Sequence, residues 1–240
     1  MTKNTVTTIY QTLRKRIMDG TYSIKMRLPI EDDLIQEFDS SRYAVRKAIK
    51  ALAEEGLVYS VKGRGVVLLE HAPQMQQFSL NMGTMNGLKT QNADLHLDYQ
   101  TDVVSFKQVI VDAPLSRKTA FEVGIPVYAI QRVRVINGVR AVLDINYFNA
   151  QLTPGITAKI AGQSIYSYLQ GTLKIKIAVA KRMLRVDSAD ETDTTQLALG
   201  KNNCVGNLIS IAFNDEGRQF EYTESHFIPN EFNFTQLIRN

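Results

Sequence analysis

Arg42, Arg46 and Lys50 recur every four residues, with Lys47 beside them, and no acid lies between Ser40 and Ala53. On a helix that spacing puts the cations on one face. Cations so aligned can reach phosphates and base edges in a major groove. A basic helix face is more often plain solvated surface, so the neighbouring elements decide. A second pair stands far downstream. Arg132 and Arg134 are two apart in a β-branched run, so on a strand both project from one face. Two guanidinium forks side by side suit a phosphate or a carboxylate. Catalytic chemistry finds little support. His71, His96 and His226 are isolated, Cys204 has no neighbouring base in sequence, and P-loop and Rossmann glycine patterns are absent. No metal-ligand cluster and no cofactor motif stands out.

The elements that must hold the first group are readable. Val45, Ala48, Ile49 and Leu52 form an apolar stripe at helical spacing, and Gly56 closes that helix. Upstream, Leu28 to Phe38 reads as a short amphipathic helix, with Glu31, Asp32 and Asp33 in its first turn to suit the dipole. The link Asp39-Ser40-Ser41 is short, so the two helices read as helix-turn-helix, with a serine as N-cap. Leu57 to Val61 and Val66 to Leu69 read as a hairpin with a cationic tip at Lys62-Gly63-Arg64-Gly65, a wing able to approach a minor groove. Thr5 to Asp19 is a first helix with Ile9, Leu13 and Ile17 inward.

The chain has 240 residues, 44% of them hydrophobic, enough for two packed domains. Residues 1–70 hold 12 Lys and Arg against 9 Asp and Glu, whereas the remainder holds 16 against 15. The basic excess therefore sits at the N-terminal end. Cys204 is the one cysteine, so no disulfide forms within the chain, which suits a reducing cytoplasm. No apolar run is long enough to span a bilayer, and a signal peptide is not apparent. The expected organisation is a DNA-binding domain at 1–70, a polar linker at 71–80 and a second domain at 81–240.

In the second domain, a short helix near Thr84, strands within Asp94 to Asp112 and a helix from Ser116 to Val123 are expected. Val127 to Phe148 is a hairpin turning at Asn137-Gly138. Helices follow at Ser164 to Leu173 and, capped by Ser188, at Ser188 to Leu199. Lys176 to Val186 is a strand, and Cys204 to Phe213 with Gln219 to Ile228 is a last hairpin. Antiparallel strands with helices between them make an α+β domain.

Arg27-Leu28-Pro29, Glu31, Ser41-Arg42, Val45-Arg46-Lys47-Ala48, Glu55-Gly56-Leu57 and Gly63-Arg64-Gly65 resemble, in order and spacing, the winged helix-turn-helix domain of GntR-type bacterial transcription regulators. The resemblance implies that Arg27, Arg42, Arg46 and the wing at Gly63 to Gly65 touch double-stranded operator DNA. Ser41, Tyr43, Lys47, Lys62 and Arg64 complete the candidate DNA-binding set. That family usually has Ser where Ile30 stands and Thr where Ala44 stands, hydroxyls that would serve phosphates or a cap.

Ile130-Gln131-Arg132-Val133-Arg134, Val142 to Phe148, Ser164 to Leu169 and Phe220 to Ser225 resemble the UTRA ligand-sensing domain, whose antiparallel fold is similar to that of chorismate lyase. The resemblance implies a small-molecule effector, and is nearest to trehalose operon repressors. That points to trehalose 6-phosphate as inducer, with an amino-sugar phosphate or another small acid as the alternative. It also implies a homodimer on a palindrome, with half-sites about 34 Å apart. The candidate effector-binding residues are Thr84, Arg132, Arg134, Asp144, Tyr147, Ser164, Tyr166, Lys181, Glu221 and Phe227. Ser164 is otherwise only a helix cap, and Tyr147 and Phe227 are otherwise core aromatics.

Two geometric questions remain at this level. In regular pairing about Asn137-Gly138, Arg132 lies opposite Leu143 and Arg134 opposite Ala141, which puts Asp144 on the other face. Either a bulge intervenes, the pocket wraps around the strand end, or Asp144 is no contact. Glu221 and Glu224 cannot face the same way on a regular strand. Glu221 is assigned to the site and Glu224 to a structural ion pair.

Overall fold

The computed structural model of the protein describes residues 5–70, 80–81 and 98–235. The chain divides into two compact units that part between Met75 and Gln76. Most of the linker expected at 71–80, and the short helix expected near Thr84, lie outside the described residues.

The first unit contains α1 (Val6–Met18), α2 (Glu31–Glu37) and α3 (Arg42–Glu54). Thr5 caps α1, and Ile9 and Leu13 are its buried residues. Ser41 caps α3 by accepting from the Ala44 amide, and the expected stripe of Val45, Ala48, Ile49 and Leu52 is buried. Ile30, at the N-cap of α2, has no side chain able to accept an amide. A hairpin follows, β1 (Val58–Val61) and β2 (Gly65–Leu68), closed by Lys62-Gly63-Arg64. Gly63 and Gly65 carry φ of 76° and 80°, a conformation that favours glycine at this tip. The Arg27 segment bridges to Val67, which sets Arg27 beside the wing. The core joins all three helices to the hairpin through Leu34, Phe38, Leu57 and Leu68.

The second unit is built on one antiparallel sheet in the order β4 (Tyr99–Ile110), β5 (Pro126–Ile136), β6 (Val139–Asn149), β9 (Gln219–Phe227), β8 (Cys204–Asn214) and β7 (Ile177–Ser188). Short strands β3 (Leu80–Asn81) and β10 (Phe234–Thr235) pair in parallel. The β5–β6 turn is Asn137-Gly138, with φ of 50° and 78°, as two-residue hairpins favour.

Helices α4 (Ala113–Thr119), α5 (Ala158–Gly162), α6 (Ile165–Gly171) and α7 (Glu191–Gln196) connect the strands. α5 has no counterpart in the sequence reading. α4 starts earlier than expected, because Asp112 caps it, and ends at Ala120 in the left-handed region. α7 is shorter than expected, because Asp190 caps it in a reciprocal box with Asp193, while Ser188 ends β7. α5 and α6 cover one sheet face over Ile130, Phe148 and Ala212. Val127, Ile209 and Tyr222 pack on the other face with Val111 and Phe121.

Candidate DNA interface and effector site

On the first unit, the expected cations are at the surface. Arg27, Ser41, Arg42, Tyr43, Arg46, Lys47, Lys62, Gly63, Arg64 and Gly65 are all exposed. Tyr43 is 71% exposed, and Lys47 Nζ sits over its ring at 5.8 Å from the centroid. Arg42 and Arg46 are exposed but paired. Arg42 Nη2 meets Asp32 Oδ1 at 2.5 Å, and Arg46 Nε donates to Glu31 Oε2 at 2.8 Å. Acids read in sequence as partners of the α2 dipole therefore also reach across to α3. Sequence spacing alone carried no signal for that contact, which spans 10 residues in one pair and 15 in the other.

On the second unit, a one-residue bulge decides the geometry. Arg134 pairs with Val142 and Val135 with Arg140, so Ala141 is the extra residue. The bulge shifts the register by one, and Arg132 stands opposite Asp144 rather than Leu143. Asp144 therefore shares a face with both arginines. Its Oδ2 accepts from Arg132 Nη2 at 3.2 Å and from Arg134 Nε at 2.8 Å, while Oδ1 accepts from Ser225 Oγ at 2.7 Å. Arg132 also donates to Asn146 Oδ1 and to the Ala161 carbonyl of α5, and Arg134 donates to Thr101.

Alternation along β9 sets Glu221, Thr223 and Ser225 on this same face. Thr223 Oγ1 and Tyr166 of α6 both donate to the Glu221 carboxylate. Asn146 donates to Thr223 and closes the chain of bonds. The centre of the cluster is buried, with Arg132 at 5% exposure and Asp144 at 3%, while Arg134, Thr101 and Tyr166 at its edge are partly buried.

Burial shapes the charges. It lowers the Arg132 guanidinium to about 10, helped by the neighbouring Arg134. It pushes the Asp144 carboxyl up, but Arg134 and Arg132 outweigh it and hold that carboxyl below its usual range. Burial likewise raises Glu221. It raises Tyr99, whose ring lies under Arg134, to about 12. Opposed charges this close, inside a hydrogen-bonded shell, stay ionised where isolated ones would not.

Some expected contacts are elsewhere. Tyr147 projects from the opposite face and packs on Tyr222 at 6.3 Å between centroids. Lys181 is exposed on β7, while Arg182, one residue on, is half-buried and acts electrostatically on Tyr166. A single step along a strand changes the face. Phe227 is fully buried against Phe232 and is a core aromatic. Ser164 caps α6 by accepting from the Ser167 amide at 3.2 Å. Thr84 lies outside the described residues. Glu224 faces away from the cluster and pairs with Lys118 at 2.6 Å, as expected.

Asn146, Thr223, Ser225, Thr101, Tyr99 and Arg182 were not singled out from sequence. The signal available was the alternation Glu221-x-Thr223-x-Ser225 and the spacing of Asn146 from Asp144.

Comparison with known proteins agrees with this architecture. The model described as UTRA domain matches residues 94–233, more than half of the chain, and that described as bacterial regulatory proteins, gntR family, matches residues 5–68. The chain belongs to the gntR family of bacterial regulatory proteins and carries a UTRA domain. This is a family of transcription regulators rather than enzymes. The HTH-type transcriptional regulator GmuR of Bacillus subtilis is 27% identical, over 94% of this chain and 94% of its own. The HTH-type transcriptional regulator TreR of the same species is 26% identical over 100% of this chain and 99% of its own. The solved effector-binding domain of that trehalose repressor matches at TM-score 0.55 and 24% identity, over 59% of this chain and 98% of that one. The crystal structure of the possible regulator YydK, also from B. subtilis, matches at TM-score 0.74 and 20% identity, over 96% of this chain and 99% of that one.

Among the described residues, no group of acids, histidines and cysteine is arranged to hold a metal ion. No helix among them is long and apolar enough to cross a membrane.

Proposed function

We propose that this gntR-family regulator is a cytoplasmic, homodimeric repressor of a sugar-utilisation operon, released from its operator by a sugar phosphate. Residues 1–70 would bind DNA, 71–80 would link, and 81–240 would sense the effector. Arg27, α3 and the wing form the DNA-facing set.

The observation that carries the sensing half is the buried alignment of Arg132 and Arg134 with Asp144, Asn146, Glu221, Thr223 and Tyr166 on one sheet face. Guanidinium forks suit a phosphate, and carboxylates and amides suit sugar hydroxyls. Asp144 holds both forks in the place an effector anion would take. A phosphate entering between them therefore competes with Asp144 and disturbs α5 through Arg132. Coupling of that kind amounts to about 1–3 kcal/mol.

Likeness to a relative described as a trehalose repressor supports trehalose 6-phosphate as the first effector to try. An amino-sugar phosphate or another small acid is the second reading. Calorimetric titration of the full chain with these phosphates tests the assignment. Binding that Arg134→Ala abolishes supports it. Binding that survives both Arg132→Ala and Arg134→Ala removes the anion site from this cluster.

A further inference from the structure

We infer that Asp32 is an intramolecular competitor for DNA: it holds Arg42 of the DNA-facing helix and keeps the regulator's affinity for duplex DNA low. The inference rests on the reading that α3 faces DNA. Arg42 opens α3, at the end of the helix whose residues reach base edges in helix-turn-helix proteins. Its Nη2 lies 2.5 Å from Asp32 Oδ1, and the two side chains are 57% and 64% exposed.

Both partners are therefore accessible to a phosphate approaching from solvent. A phosphate oxygen and the Asp32 carboxylate are rival acceptors for one guanidinium edge. On any duplex, contact by Arg42 must first break this pair and leave Asp32 unpaired beside an anion. Both effects oppose binding.

Asp33 gives an internal control. It carries the same charge one residue along α2 and is exposed, yet no described ion pair or hydrogen bond includes its side chain. Replacing Asp32 or Asp33 by Asn changes net charge equally, but only the first releases Arg42. The neighbouring pair Glu31–Arg46 differs in kind. It engages Nε rather than a terminal nitrogen, and neither substitution removes it.

Fluorescence anisotropy of the full chain on a labelled duplex of mixed sequence, at about 0.1 M ionic strength, tests this. Asp32→Asn should tighten binding about two- to fivefold beyond Asp33→Asn, the range that an exposed ion pair supplies. Asp32→Glu, which can restore the pair, should return affinity to that of the parent. Adding Arg42→Ala to Asp32→Asn should erase the gain. Thermal unfolding of each variant checks that the fold is kept. Equal tightening by Asp32→Asn and Asp33→Asn would overturn the inference and leave only a net-charge effect. Failure of the parent chain to bind any duplex would overturn the DNA-binding reading itself, and this inference with it.

Discussion

Arg132 and Asp144 stand directly opposite one another across the β5–β6 ladder, because the extra residue Ala141 shifts the register by one. The pair is buried, shared with Arg134, and ringed by Ser225, Asn146 and Thr101. A buried ion group of this kind contributes little over an apolar core, but is costly to break.

Asp144→Ala leaves two buried guanidinium groups without their shared acceptor. Stability should fall by about 3–5 kcal/mol, read as a lower urea midpoint for the second unit's transition. An unchanged midpoint would mean that water enters the cluster freely.

His226 predicts a pH dependence. Burial would lower its pKa, but the hydrogen bond to Asp193, at 2.7 Å, and the charges of Asp193, Glu224 and Asp190 raise it above 6.5. A raised pKa in the folded state means the contribution is complete below about pH 6.5, the unfolded value. It is lost as pH climbs through the folded value. Urea midpoints should therefore fall with rising pH above that point. His226→Gln should flatten this part of the profile.

Ile30 occupies the N-cap of α2 with extended backbone and 64% exposure. Serine there would gain a cap and give up little buried surface. Ile30→Ser should raise stability by about 0.5–1 kcal/mol, seen as a higher melting temperature of the first unit.

Gly206 lies under the Phe232 ring, and an added Cβ would clash with that ring. Gly206→Ala should therefore displace Phe232 and cost about 1–3 kcal/mol, as overpacking does. Calorimetric unfolding gives the number.

Much of this was legible in the residues because it rests on local periodicity. The α3 stripe, its Gly56 stop, the glycine tip of the wing and the Asn137-Gly138 turn each follow from a short pattern with a single stereochemical solution. The division between Glu221 and Glu224 was legible for the same reason, since a strand alternates.

What was not legible turns on single residues or long separations. One bulge at Ala141 moved Asp144 to the arginine face. One step along β7 separated exposed Lys181 from half-buried Arg182. Asp112, ahead of Ser116, caps α4, and Asp190, behind Ser188, caps α7, because several residues in each stretch could cap and only packing chooses among them. The pairs Glu31–Arg46 and Asp32–Arg42 arise from how α2 packs on α3, which no spacing within either helix reports.

The central claim is that a small phosphate held at Arg132 and Arg134 loosens the grip of α3 and the wing on DNA. Gel-shift titration of the full chain on fragments of its own genome, with and without trehalose 6-phosphate and an amino-sugar phosphate, tests this most directly. The account predicts a retarded band that one of these phosphates releases, and that Arg134→Ala makes unresponsive while leaving the band itself in place. A band indifferent to every phosphorylated sugar, or released equally well from Arg134→Ala, would contradict it.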